Sequence, residues 1–203
     1  MQGLLRKDLY MAKSYLRTTV VAIAVFLVLG ALMDGLQWYF YTAILIAGLV
    51  PVSMLSYDEA EKWPAYADTL PVTAKHLVME KYLLGLLFSA AGTILSTFSA
   101  GINAALHPGV PFSPLNTAGV FFCMSLMGSV LLLPVIFKFG REKGRILYYL
   151  LFGLLFGVAG AFGMFNKVPG MSGLDPVIGI PVVAILWVLS LGLSIRMYEK
   201  REF

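Results

Sequence analysis

The chain reads as an all-α integral membrane protein: six transmembrane helices preceded by an amphipathic N-terminal interfacial helix, with both termini cytoplasmic. Three observations carry this expectation. Of the 203 residues, 59% are apolar and 13% charged, against roughly 45–50% and 25% in soluble domains. One soluble core cannot hide that much apolar surface, and the bilayer is the alternative solvent. Six apolar segments approach or exceed the roughly 20 residues with which a helix crosses a hydrocarbon core of about 30 Å. Every Lys and Arg except Lys167 falls on one side of a six-span arrangement, and the positive-inside rule makes that side cytoplasmic. An odd number of spans breaks this agreement. Barrel strands are excluded because the runs are too long and lack strict alternation.

Taken in order, residues 1–16 place Met1, Leu4, Leu5, Leu9, Ala12 and Leu16 on one helical face, with Gln2, Arg6 and Lys13 mainly on others. That pattern predicts an interfacial helix lying along the inner membrane surface, its basic side near anionic headgroups. The first span is Thr18 to Met33. Asp34 and a second long apolar run follow it, without a small-x-small cleavage site, so it is read as an uncleaved span rather than a signal peptide. The second span is Gly35 to Tyr57. A cytoplasmic loop over 58–81 follows; its two prolines and acidic start end the preceding helix, and Thr73 is placed to N-cap a new one with its side-chain oxygen on a free backbone donor. The new helix runs through Lys81 into the third span, Tyr82 to Leu106.

His107-Pro108-Gly109-Val110-Pro111 makes the next turn, with His107 as a solvated loop residue. The fourth span is Thr117 to Phe137, and a basic loop with Lys138, Arg141, Lys143 and Arg145 leads to the fifth, Ile146 to Phe165. Gly153, Gly157 and Ala161 recur there at four-residue spacing, which lets helix backbones approach closely, within the bundle or between subunits. The sixth span is Val177 to Ile195. Pro51, Pro134 and Pro181 predict kinks, or at Pro181 a helix start. The whole chain, 1–203, forms one transmembrane domain.

Several function classes lose their chemistry at this point. No Asp, Glu, Lys or Arg lies in the middle of a span, whereas ion-coupled transporters usually keep such a group at depth. Ser53, Ser56, Thr93, Ser96, Thr97, Ser99 and Asn103 read as packing and interhelical hydrogen bonds, or as a mildly polar path along the third span. His76 and His107 fall on opposite sides, and Cys123 is the single cysteine, so neither a metal site nor an internal disulfide is expected. No G-x-x-x-x-G-K-[ST] phosphate loop is present. The net charge of +4 is spread in short clusters between apolar runs, which argues against nucleic acid. The chain is therefore expected to be no enzyme and to bind no cofactor itself. Trp63, Tyr66 and Leu70 are large residues at the inner interface. They fit an aromatic belt or a surface for another protein, and the residues alone leave both open.

The 58–81 segment resembles the corresponding loop of small bacterial ABC exporter permeases of the type-2 class. The likeness lies in Asp58-Glu59, Trp63, Tyr66, Thr69-Leu70-Pro71-Val72-Thr73, Lys75, Val78 and Lys81-Tyr82, and the opening Leu4-Leu5-x-Lys7-Asp8-Leu9 is similar to that family's start. The hydropathy outline extends the likeness over the whole chain, and permeases of exporters of phenol-soluble modulins, amphipathic cytolytic peptides, are among the similar proteins. The resemblance implies a permease of the bacterial plasma membrane that pairs with a second identical or similar permease. It implies cytoplasmic ABC ATPase subunits, carrying ATP and Mg, as partners, with export of hydrophobic or amphipathic substrates, peptides among them. The 58–81 segment would act as the coupling loop, and Trp63, Tyr66, Leu70, Pro71, Thr73, Lys75 and His76 would dock the ATPase. The short segment Asn166 to Pro176 departs from relatives that build larger extracellular helices there. Two other readings stand beside this one: a membrane scaffold or immunity protein that transports nothing, and a passive or secondary transporter.

Overall fold

A computed structural model describes residues 7, 8, 10, 17–33, 38–63, 66, 73–110, 112–161 and 176–199. Among the described residues no strand occurs and the extended helices are six: α1 (Arg17–Leu32), α2 (Trp38–Gly48), α3 (Val50–Ala60), α4 (Ala74–Leu106), α5 (Pro114–Ala161) and α6 (Pro176–Glu199). Among the described residues four stretches are long and apolar enough to cross a membrane: Tyr39–Ala60, Lys75–Leu106, Pro114–Gly140 and Gly179–Glu199. They correspond to the second, third, fourth and sixth expected spans. The first expected span is the apolar helix α1, 16 residues long, or about 24 Å at 1.5 Å per residue. The fifth is helical as far as Ala161. Leu4, Leu5, Leu9 and Leu16, on which the interfacial helix is proposed, lie outside the described residues, while Lys7, Asp8 and Tyr10 within the same segment are helical.

The second span is divided in two. Leu49 takes a turn conformation between α2 and α3, and Pro51 occupies the first turn of α3. Proline has no N–H to give to the carbonyl four residues back, so the helix restarts around it. Pro181 lies within α6, whose first residue is Pro176, so Pro181 is not the helix start. The basic loop expected after the fourth span is also absent. Helix continues on both sides of Gly140, which alone leaves helical geometry at φ 74, ψ 178. Only glycine reaches that region without steric cost, so one residue does the work assigned to a loop.

α4 is the hub. It runs unbroken for 33 residues after Thr73, as expected, and packs against each of the other five helices. Its polar residues reach neighbouring backbones. Ser99 Oγ donates to Leu27 O at 2.7 Å, and Asn103 Nδ2 donates among Gly30 O, Ala31 O and Met33 O at 2.9–3.3 Å, anchoring the end of α1. Gly48 lets α2 meet α5: a Cβ there would lie 2.1 Å from Ser125 O. At the opposite end, Leu55, Leu77, Val78, Tyr82, Leu133, Ile136, Phe137 and Tyr198 form the largest apolar cluster, drawn from α3, α4, α5 and α6, with Trp63 and Trp187 packed against it. This cluster is the floor on which the candidate site rests.

Candidate functional site

The site lies where the 58–81 segment leaves and re-enters the bundle. Asp58 sits near the end of α3 and Lys81 in the third turn of α4, and between the two helices residues 61, 62, 63, 66 and 73 are described. Both ends of the expected loop are therefore helical. Asp58 and Lys81 share a single cluster with Lys7 and Asp8 from the N-terminal segment. Lys7 Nζ reaches Asp58 Oδ1 at 2.7 Å and Asp8 Oδ1 at 3.1 Å. Lys81 Nζ contacts Asp58 Oδ2 at 2.5 Å and also pairs with Asp8 Oδ2. Each cation thus bridges both anions, which closes a ring of four alternating charges.

The ring is almost dry. Asp8, Asp58 and Lys81 are each no more than 4% exposed, and the Lys7 side chain is 22% exposed. Removing such charges from water costs several kcal/mol per ion even after relaxation, and close opposite partners are what offset the cost. Here the charges sum to zero, and each ammonium has two carboxylates to accept its protons. Glu80, next to Lys81, is a fifth buried ionisable group at 1% exposure, and its Oε1 has no hydrogen-bond partner among the described residues.

Lys7 has a second role in the cluster. Its Nζ stands 3.9 Å from the centroid of the Trp63 ring, where the negative face of the indole attracts a cation. Trp63 in turn lies 5.4 Å from the Tyr66 ring. Trp63 is half-buried against the apolar floor and Tyr66 is exposed. One residue on from Lys81, the Tyr82 hydroxyl meets Ser190 Oγ at 2.6 Å and Ser194 Oγ at 2.7 Å, joining α4 to α6. Ser190 Oγ also donates to Val130 O of α5 at 2.6 Å.

The residues proposed for docking separate into groups. Trp63 and Tyr66 belong to the charged cluster's edge, whereas Thr73, Lys75 and His76 are exposed at the start of α4; Leu70 and Pro71 lie outside the described residues. Thr73 occupies the N-cap position, but its hydroxyl does not cap a backbone N–H. It lies 2.8 Å from His76 Nδ1 instead, while the His76 N–H is satisfied by Thr73 O at 2.9 Å. The imidazole three residues on competes for the hydroxyl. Gly153, Gly157 and Ala161 lie on the second half of α5 at the spacing read from the sequence.

The hydroxyls of α4 behave differently along its length. Ser99 is bonded to α1, whereas Ser89 Oγ, Thr93 Oγ1, Ser96 Oγ and Thr97 Oγ1 are buried without a partner among the described residues. Thr93 and Thr97 line an apolar cleft of about 560 Å³ between α4 and the start of α5, walled by Ile94, Phe98, Phe112 and Ala118. No group of His, Cys, Asp and Glu among the described residues is arranged to hold a metal ion.

The ring's members stand in two separate stretches of sequence, Lys7-Asp8 in one and Asp58 with Lys81 in the other, and their spacing does not bring the two together. The available signal was that both motifs pair an acid or a base with an apolar neighbour at a membrane edge. Compared with known proteins, the chain matches the family model described as ABC-2 family transporter protein over residues 3–199. No curated protein and no solved structure compared with it matches.

Proposed function

The chain belongs to the ABC-2 family of transporter proteins and is a multi-pass transmembrane permease component of an ABC transporter; from that premise we propose that it exports hydrophobic or amphipathic substrates, peptides among them, by coupling through the 58–81 segment to a separate ATPase subunit. The family match over residues 3–199 carries the reading. The absence of a G-x-x-x-x-G-K-[ST] loop from the sequence supports it, since the energy must then enter from another chain. So does the exposure of Tyr66, Thr73, Lys75 and His76, which leaves these side chains of the 58–81 segment accessible to another protein.

In this reading the six-span topology has both termini in the cytoplasm of a bacterial cell, and two permease chains, identical or similar, stand side by side in the plasma membrane. ATP and Mg bind the partner subunits, whose closure pushes the two coupling segments and tilts the bundles. The permease performs no hydrolysis itself. Trp63, Tyr66, Leu70, Pro71, Thr73, Lys75 and His76 form the docking surface.

The experiment is purification of the tagged chain from native membrane in mild detergent, with identification of the bound subunits. A protein carrying the phosphate-loop motif is the expected companion, and Leu70→Asp is expected to lose it, because an unpaired charge buried at a docking surface costs about 3 kcal/mol or more. A complex that survives Leu70→Asp removes the docking role. Uptake driven by a proton or sodium gradient with no ATPase present supports a secondary transporter instead.

A further inference from the structure

Buried ion pairs are weak devices for stability: apolar residues of similar volume often serve as well or better. A closed ring of four desolvated charges therefore calls for an account in terms of what it holds in register. Its members come from three separate parts of the chain. Lys7 and Asp8 belong to the N-terminal segment, Asp58 to the end of α3, and Lys81 to α4, with sequence separations of 51 and 73 residues across the bonds. The N-terminal segment can leave the 58–81 segment only by giving up the Lys7–Asp58 and Lys81–Asp8 contacts and opening two otherwise dry charge pairs. Lys7 adds a lateral contact to Trp63, the first large aromatic of that segment.

We propose that Lys7, Asp8, Asp58 and Lys81 form a clamp that fastens the N-terminal segment to both ends of the 58–81 segment, so that the three move as one body when the segment is displaced. The four are positioning residues. They touch neither substrate nor ATPase, and they act by fixing where Trp63 and Tyr66 stand. The coupling consequence rests on the function proposed above, whereas the mechanical claim stands on the ring itself.

The test uses two cuts that keep charge balance. Asp58→Asn with Lys81→Met leaves the Lys7–Asp8 pair, and Lys7→Met with Asp8→Asn leaves the Asp58–Lys81 pair. Either cut frees the N-terminal segment without stranding a net charge, so if one variant fails to fold the other still decides. Cys123→Ser provides a cysteine-free full chain, and spin labels at Tyr10→Cys and Tyr66→Cys, 76% and 57% exposed, report the separation in lipid nanodiscs. One narrow distance is expected in the intact ring and a broad or multiple distribution in each cut. A narrow distribution unchanged in the cut variants overturns the clamp.

The second arm uses the ATPase subunit captured by the unaltered chain. Both cuts are expected to retain capture while permease-stimulated hydrolysis falls about tenfold, a coupling loss of the usual size, whereas Leu70→Asp loses capture itself. Full stimulation in the cuts overturns the coupling role. Failure of the unaltered chain to capture any ATPase overturns the proposed function, and the distance measurement still decides the clamp.

Discussion

Lys81 shows how a single residue at this membrane edge is constrained. Its ammonium lies between Asp8 and Asp58 with almost no solvent. Removing it alone leaves three charges summing to −1 in a dry pocket beside the buried Glu80. Lys81→Met is therefore expected to destabilise the protein by about 3–5 kcal/mol, while the charge-balanced Asp58→Asn/Lys81→Met pair costs much less. Denaturant titration of the purified chain in detergent, followed by circular dichroism, measures both. Equal losses would mean that packing around Lys81, not charge, dominates. Lys7 is the more tolerant member, because it is partly hydrated and has the Trp63 ring as a third partner.

At the scale of elements, two glycines set where helices meet and where they stop. At Gly48 the backbone of α2 passes so close to Ser125 that any Cβ would overlap its carbonyl oxygen. Gly48→Ala must push α2 and α5 apart and is expected to cost about 1–3 kcal/mol, as overpacked cores do. It should also weaken the 3.3 Å bond from Ser125 Oγ to Ile44 O. Thermal denaturation in detergent checks the stability loss. Gly140 makes a different demand. Its φ of 74 and ψ of 178 break α5 into two helical stretches, and an L-residue there costs about 1–3 kcal/mol. Gly140→Ala is expected to lower thermal stability by that amount; an unchanged midpoint would show that the chain bends elsewhere at no cost. Pro51 works from the opposite side, ending one helix by withholding a donor rather than by adopting a left-handed geometry.

At the scale of the molecule, the charged ring fixes sidedness among the parts it joins. The N-terminal segment, the end of α3 and the start of α4 occupy one face. The turn at His107–Val110, at the other end of α4, faces the opposite way. Combined with the basic residues at the same end, this predicts the cytoplasm for Tyr10 and the outside for Leu115, which is 86% exposed. In a Cys123→Ser background, Tyr10→Cys should react with an impermeant thiol reagent only in inverted vesicles and Leu115→Cys only in intact cells. The reverse pattern would put the 58–81 segment beyond the reach of a cytosolic ATPase.

Composition and run length were enough to establish a helical membrane protein, because the bilayer leaves a polypeptide few ways to satisfy its backbone. They also placed α4 from Thr73 through Lys81 into its span, since no breaker interrupts that stretch. The likeness in the 58–81 segment pointed to the same family that the match over residues 3–199 shows. What the sequence hid were contacts between residues far apart in it. Lys7-Asp8, Asp58 and Lys81 carry part of the family likeness, yet nothing in their spacing says that they meet. Only the placement of Lys7 and Asp8 against α3 and α4 turns them into one neutral, desolvated ring. The hydroxyl of Thr73 likewise had a backbone donor and an imidazole within reach, and local spacing could not choose between them. Burial and partner identity are properties of the assembled bundle, and a one-dimensional pattern of apolar and polar residues does not contain them.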